Sequence, residues 1–130
     1  MDEKVLNSAK EEFEKLKGKA KEIIGSNEKL NDFVKKAEEK IKESKIGDKV
    51  KDVPDIFNMV KSYVTGEYKD VSPVTLVALV AALLYLVTPQ DIIPDSVPIL
   101  GFVDDAAIIY ICLQTTSADL EKYKVWVNNK

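Results

Sequence analysis

Residues 74–87 read VTLVALVAALLYLV, apolar at every position but Thr75. A helix built from such a run has no polar face to offer water, so the rest of the chain or its surroundings must cover it on all sides. Ser72 followed by Pro73 is the favoured order of an N-cap and a rigid first helical residue, which sets the start of that helix. About 14 helical residues span roughly 21 Å at 1.5 Å per residue, short of the roughly 30 Å hydrocarbon core of a bilayer. The segment therefore does not cross a membrane by itself. Two settings suit it: the centre of a bundle, surrounded by the other helices, or a re-entrant or interfacial seat in lipid.

The run gives way to TPQDIIPDSVPILGFVDD, residues 88–105, three prolines and four aspartates between two apolar stretches. Pro89, Pro94 and Pro98 block a continuous helix and impose a bent connection. Apolar residues resume over 106–113 and predict a helix returning antiparallel against the first. The polar stretch 115–117 is a natural end for it, leaving 119–126 as a last turn or two. Between Lys69 and Lys122 there is no lysine, and Asp91, Asp95, Asp104 and Asp105 carry the only charges of residues 71–118.

Each of these aspartates has a structural explanation. Thr88-Pro89-Gln90-Asp91 has the spacing of a capping box. Asp95, between Pro94 and Ser96, suits an Asx-turn. Asp104 and Asp105 open the returning helix, one as cap and the other favoured by the positive end of the helix dipole. Helix capping is the default reading, yet it leaves four like charges with no basic residue among them. Like charges at close range oppose one another's ionisation unless water, amides or a cation offsets them. A hard divalent ion that prefers oxygen ligands, Mg²⁺ or Ca²⁺, is the natural counter-charge, which makes Asp91, Asp95, Asp104 and Asp105 the candidate metal ligands. Their spacing is not that of an EF-hand. No catalytic residue is nominated, since a carboxylate pair needs a pocket or a polar companion to work as general acid and base.

Upstream, Val5, Ala9, Phe13, Leu16, Ala20 and Ile23 recur at intervals of three and four with Lys and Glu between them, the period of an amphipathic helix over 1–24. Gly25-Ser26-Asn27 stops it. A second helix is predicted over 28–45, with Asn27 as its cap and Leu30, Phe33, Val34, Ala37 and Ile41 as its stripe. Both stripes are narrow, fit to lie on the C-terminal core or on each other, on a partner helix, or on a lipid surface. Ile46-Gly47-Asp48 marks a joint. Beyond it Ile56, Met59, Val60, Tyr63 and Val64 outline a third helix, with Pro54 in its first turn and Gly66 at its end.

Composition then removes whole classes of function. The chain has a formal charge of −3 and no arginine, so it lacks both the basic excess and the bidentate fork that grip a phosphate backbone, and nucleic acid is not an expected partner. Histidine is absent, which removes Ser/His and Cys/His nucleophile pairs and the usual zinc sites. Cys112, the single cysteine, lies in the apolar run and reads as a buried thiol acting as a small hydrophobe. The N-terminus opens on charged residues without an apolar signal core, so the expected location is the cytoplasm or the cytoplasmic face of the membrane.

The sequence ALLYLVTPQDIIPDSVPILGFVDDAA resembles the signature of the YkvA-like family, the bacterial domain of unknown function numbered 1232. Pro89, Asp91, Ile93, Pro94, Asp95, Pro98, Gly101, Asp104 and Asp105 fall on its pattern; Ile92 replaces a commoner leucine, and Gln90 stands where an apolar residue is frequent. LEKYKVW, residues 120–126, looks like the end of many such domains. The likeness covers roughly 55–127. It implies a small all-helical domain, often held to be membrane-associated, and no established reaction, cofactor or substrate.

The expected protein is thus all-α, a small helical bundle with a central apolar helical hairpin. N-terminal amphipathic helices occupy 1–52 and the YkvA-like domain 53–130. Its expected role is that of a binding module, with a membrane surface or a protein as partner and without an enzymatic activity; the alternative is a divalent-cation-binding domain that uses the aspartates of the corner.

Overall fold

The computed structural model describes residues 3–45, 51–86 and 105–130. Five helices account for their regular structure, and no strand occurs among them: α1 (Glu3–Ile24), α2 (Asn27–Ser44), α3 (Asp52–Thr65), α4 (Pro73–Leu86) and α5 (Asp105–Asn128).

Local chemistry places most of the boundaries. Ser72 caps α4, its Oγ accepting from the Thr75 amide at 3.2 Å, and Pro73 is the first helical residue. Gly66 ends α3 with φ 87°, a left-handed turn that costs glycine no Cβ clash. The cap of α2 is Ser26 rather than the expected Asn27. Ser26 is extended, at φ −133° and ψ 122°, and its side chain accepts from the Lys29 amide at 3.3 Å, which leaves Asn27 as the first helical residue.

The larger correction concerns α5. The polar stretch 115–117 does not end the returning helix, which runs unbroken through Asn128. Thr116 is buried, and its hydroxyl donates to the Cys112 carbonyl one turn back at 2.9 Å. The group that competes for backbone is thereby satisfied on its own helix. Leu120 and Tyr123 then continue the buried side.

α4 lies at the centre, packed most extensively on α1 and α5 and also on α3. Leu79, Val80, Ala81, Ala82, Leu83 and Leu84 are all fully buried, so of the two settings open to the apolar run the bundle interior is the one it occupies. Ser72 meets Asp119 and Ala78 meets Cys112, a register that makes α4 and α5 antiparallel. The expected stripes are where the amphipathic helices turn inward: Ala9, Phe13, Leu16, Ala20 and Ile23 of α1, and Leu30, Phe33, Val34 and Ala37 of α2, are buried in the same core cluster as α4.

Candidate functional site

Of the four aspartates nominated as metal ligands, Asp91, Asp95 and Asp104 lie outside the described residues, and Asp105 is the first residue of α5. Among the described residues no group of three or more metal-ligating side chains occurs. The described chemistry gathers where the start of α4 meets α5, and inside the core.

The start of α4 meets the C-terminal half of α5. Ser72 Oγ stands 3.0 Å from Thr75 Oγ1 and 3.1 Å from Asp119 Oδ2. The carboxylate can only accept, so both hydroxyls are committed to a small polar knot that ties the cap of one helix to the side of the other. The Thr75 hydroxyl first, and then Ser72, hold the Asp119 carboxyl below the usual carboxylate range. Thr75, the one polar interruption of the apolar run, is buried because this knot satisfies it.

Beside the knot, three rings pack together. Tyr68 stands edge-on to Tyr123 with centroids 5.2 Å apart and tilts against Trp126 at 5.0 Å, while Tyr123 and Trp126 stack at 5.8 Å. The Tyr123 hydroxyl lies 3.0 Å from Ser62 Oγ, which pins α5 to α3. Burial, and next the nearby Asp70 carboxylate, push the Tyr68 phenol up. Outside these rings lies an open cleft of about 500 Å³ lined by Tyr68, Asp70, Glu121, Lys122, Val125 and Trp126. An ion pair of 3.0 Å between Lys122 and Asp70 crosses its rim, and Val125 is exposed. Tyr123 and Trp126 are three apart on one helix and share a face; Tyr68 comes from the connector after α3, and nothing local marks it as buried.

Inside the core lies Glu12, which the pattern of apolar residues does not single out. It stands three residues after Ala9 and four before Leu16, on the apolar stripe of α1, and is fully buried. Neither carboxyl oxygen has a hydrogen-bond partner among the described residues. The nearest cation is Lys15 Nζ, 3.6 Å from Oε1, on a side chain about half exposed to water. Spacing alone could have found Glu12, since position 12 falls on the stripe whatever residue fills it.

The other nucleophile-bearing group is inert. Cys112 faces the Ala78 carbonyl with 3.6 Å from Sγ to O, and burial pushes its thiol up to about 12.

The family model for a protein of unknown function, DUF1232, matches residues 75–111, which takes in α4 from Thr75 onward, residues 87–104 and the first part of α5. The uncharacterized membrane protein YkvA of Bacillus subtilis (strain 168) is 36% identical over 77 residues, covering 59% of this chain and 73% of that relative. The chain belongs to the DUF1232 family. All four corner aspartates lie within the segment matched by the DUF1232 model, whereas Glu12, the aromatic cleft and Asp119 lie outside it. No solved structure matches the chain. Among the described residues no helix is long and apolar enough to cross a membrane.

Proposed function

We propose that this DUF1232 chain is a binding module for a membrane surface, with the α4–α5 hairpin as the element that meets lipid and the α1–α2 arm as its cover. One observation carries the reading: α4 is apolar on every side, and much of its cover comes from an amphipathic helix, α1, whose outer face suits water. A helix of 14 residues is too short to span, so its lipid contact is interfacial. The description of the Bacillus subtilis relative as a membrane protein agrees with this location.

Charge says which lipid. Residues 1–52 hold 14 lysines against 13 acidic residues, and the whole chain is at −3. Attraction to anionic headgroups is therefore weak, and apolar burial is left as the driving term. The test is flotation of the purified chain with zwitterionic and anionic vesicles at low and high salt. Comparable flotation with both, surviving high salt, is expected; a chain that stays at the bottom of every gradient overturns the reading, and one that floats only with anionic lipid at low salt replaces it with an electrostatic one.

A second reading is favoured by the charge balance of the corner, four carboxylates with no lysine between Lys69 and Lys122. In it Asp91, Asp95, Asp104 and Asp105 take up Mg²⁺ or Ca²⁺. Millimolar Mg²⁺ or Ca²⁺ then raises the melting temperature of the wild type and not of Asp104→Asn. An equal response in the two chains removes this reading.

A further inference from the structure

A carboxyl group that is fully enclosed and finds no donor destabilises the contact that encloses it. Ionised, it has lost its water; protonated, it still leaves polar oxygens without partners in apolar surroundings. Glu12 is in this position, on the inward face of α1 between Ala9 and Leu16: its carboxyl makes no hydrogen bond, and its ion pair with Lys15, at 3.6 Å, is to a half-exposed ammonium that offsets only part of the lost hydration. α1 is also the helix that packs most extensively on α4. The residue that weakens docking is thus placed on the main cover of the most apolar element.

A second feature of the same helix points in the same direction. Gly18 sits in mid-helix, and a Cβ added there would meet nothing within 4 Å. No close approach, turn or positive φ requires glycine at this position, so its backbone freedom only lowers the helicity of α1. Neither Glu12 nor Gly18 is explained by packing, and both make α1 easier to release than its apolar stripe alone would.

We propose that Glu12 is a built-in release for the arm: a buried carboxyl without a hydrogen bond that keeps α1 docked on the hairpin reversibly, so that α1 opens as a unit and uncovers α4 while α5 stays folded. That the uncovered hairpin then meets lipid rests on the membrane reading above; the release itself does not.

The experiment is amide hydrogen exchange on the full chain without lipid, comparing wild type with Glu12→Leu, Glu12→Gln and Glu14→Leu. Replacing a buried carboxyl that makes no hydrogen bond by an apolar side chain of similar size removes its desolvation cost, so Glu12→Leu slows exchange across α1 about tenfold or more, with a smaller change in α5. Glu12→Gln keeps the shape, removes the formal charge and slows α1 by less. Glu14, whose side chain is 71% exposed, is the control, and its replacement leaves α1 exchange within about twofold. Unchanged or faster α1 exchange in both Glu12 variants overturns the release, as does slowing by the same factor in α1 and α5, which would show that the helices open only together. Vesicle flotation of the same chains separates the two ideas. If Glu12→Leu slows α1 exchange and floats less, both stand; if it slows exchange and floats like wild type, the release stands and the membrane role of the hairpin falls.

Discussion

The arm and the hairpin bury comparable side chains by different routes. α1 has a stripe, and the position of that stripe says which way the helix must face; the rest of its surface is Lys and Glu in short-range pairs such as Lys17–Glu14 and Lys19–Glu22. α4 has no stripe, and its 14 residues say only that every direction must be covered. An amphipathic helix can leave the core and remain soluble, whereas an all-round apolar one cannot. The difference teaches that stability in this bundle is graded: α4 and α5 form the part that has no alternative to burial, and α1, with Glu12 on its inner face, the part that has one.

The largest effect expected from this contrast is on Cys112. Its thiol lies between α4 and α5 and, pushed up to about 12, is almost wholly protonated at neutral pH. Alkylation of the native chain is expected to be slower than that of the urea-unfolded chain by about 10³-fold or more. Release of α1 leaves the Ala78 contact in place, so labelling follows opening of the hairpin and amide exchange in α1 follows the arm. Labelling as fast as α1 exchange would merge the two regions into one unit.

Core truncation comes next. Leu83 in α4 and Leu16 in α1 are both fully buried, and either change to alanine removes the same atoms. Leu83→Ala is expected to lower the free energy of unfolding by about 2–5 kcal/mol in urea melts. Leu16→Ala acts first on the arm, raising α1 exchange more than it raises Cys112 labelling. Equal effects of the two variants on both readouts would break the comparison.

Smaller is the effect of the knot that ties the start of α4 to α5. Asp119 is held below the ordinary carboxylate range in the folded chain, so its stabilisation is present above the unfolded value of about pH 4 and is lost as the pH falls through the folded value. With partial exposure taken into account, the contribution is about 0.5–1 kcal/mol. Urea melts from neutral pH down to pH 3 are expected to show a shallower acid loss for Asp119→Asn, and an unchanged slope would remove Asp119 from the account.

Smallest is Gly18→Ala. With open space at the Cβ position it should stabilise α1 by about 0.4–1 kcal/mol, visible as slower α1 exchange with little change in Cys112 labelling.

Much of the fold was legible because its signals are local. The stripe of α2 from Leu30 to Ala37, the Ser72 cap with Pro73, and Gly66 at the end of α3 each depend on residues within a turn or two of one another. The stretch 115–117 misleads about the end of α5 for the complementary reason: three polar residues look like a stop until the Thr116 hydroxyl is seen to bond its own helix. Of the nominated site only the start of α5 at Asp105 falls among the described residues. The aromatic cleft needed Tyr68 of the connector to meet Tyr123 and Trp126 some fifty residues later, a pairing no periodicity encodes.

By itself the sequence determined that the chain is helical, that 74–87 must be enclosed, and which faces of α1 and α2 turn inward, because periodicity and capping act over a few residues. Only the tertiary structure decided that the apolar run is covered by its own chain and that α5 continues past Thr116. It also decided that the Glu12 carboxyl is fully enclosed without a hydrogen bond, since burial and hydrogen bonding depend on what the other helices bring to the inner face of α1.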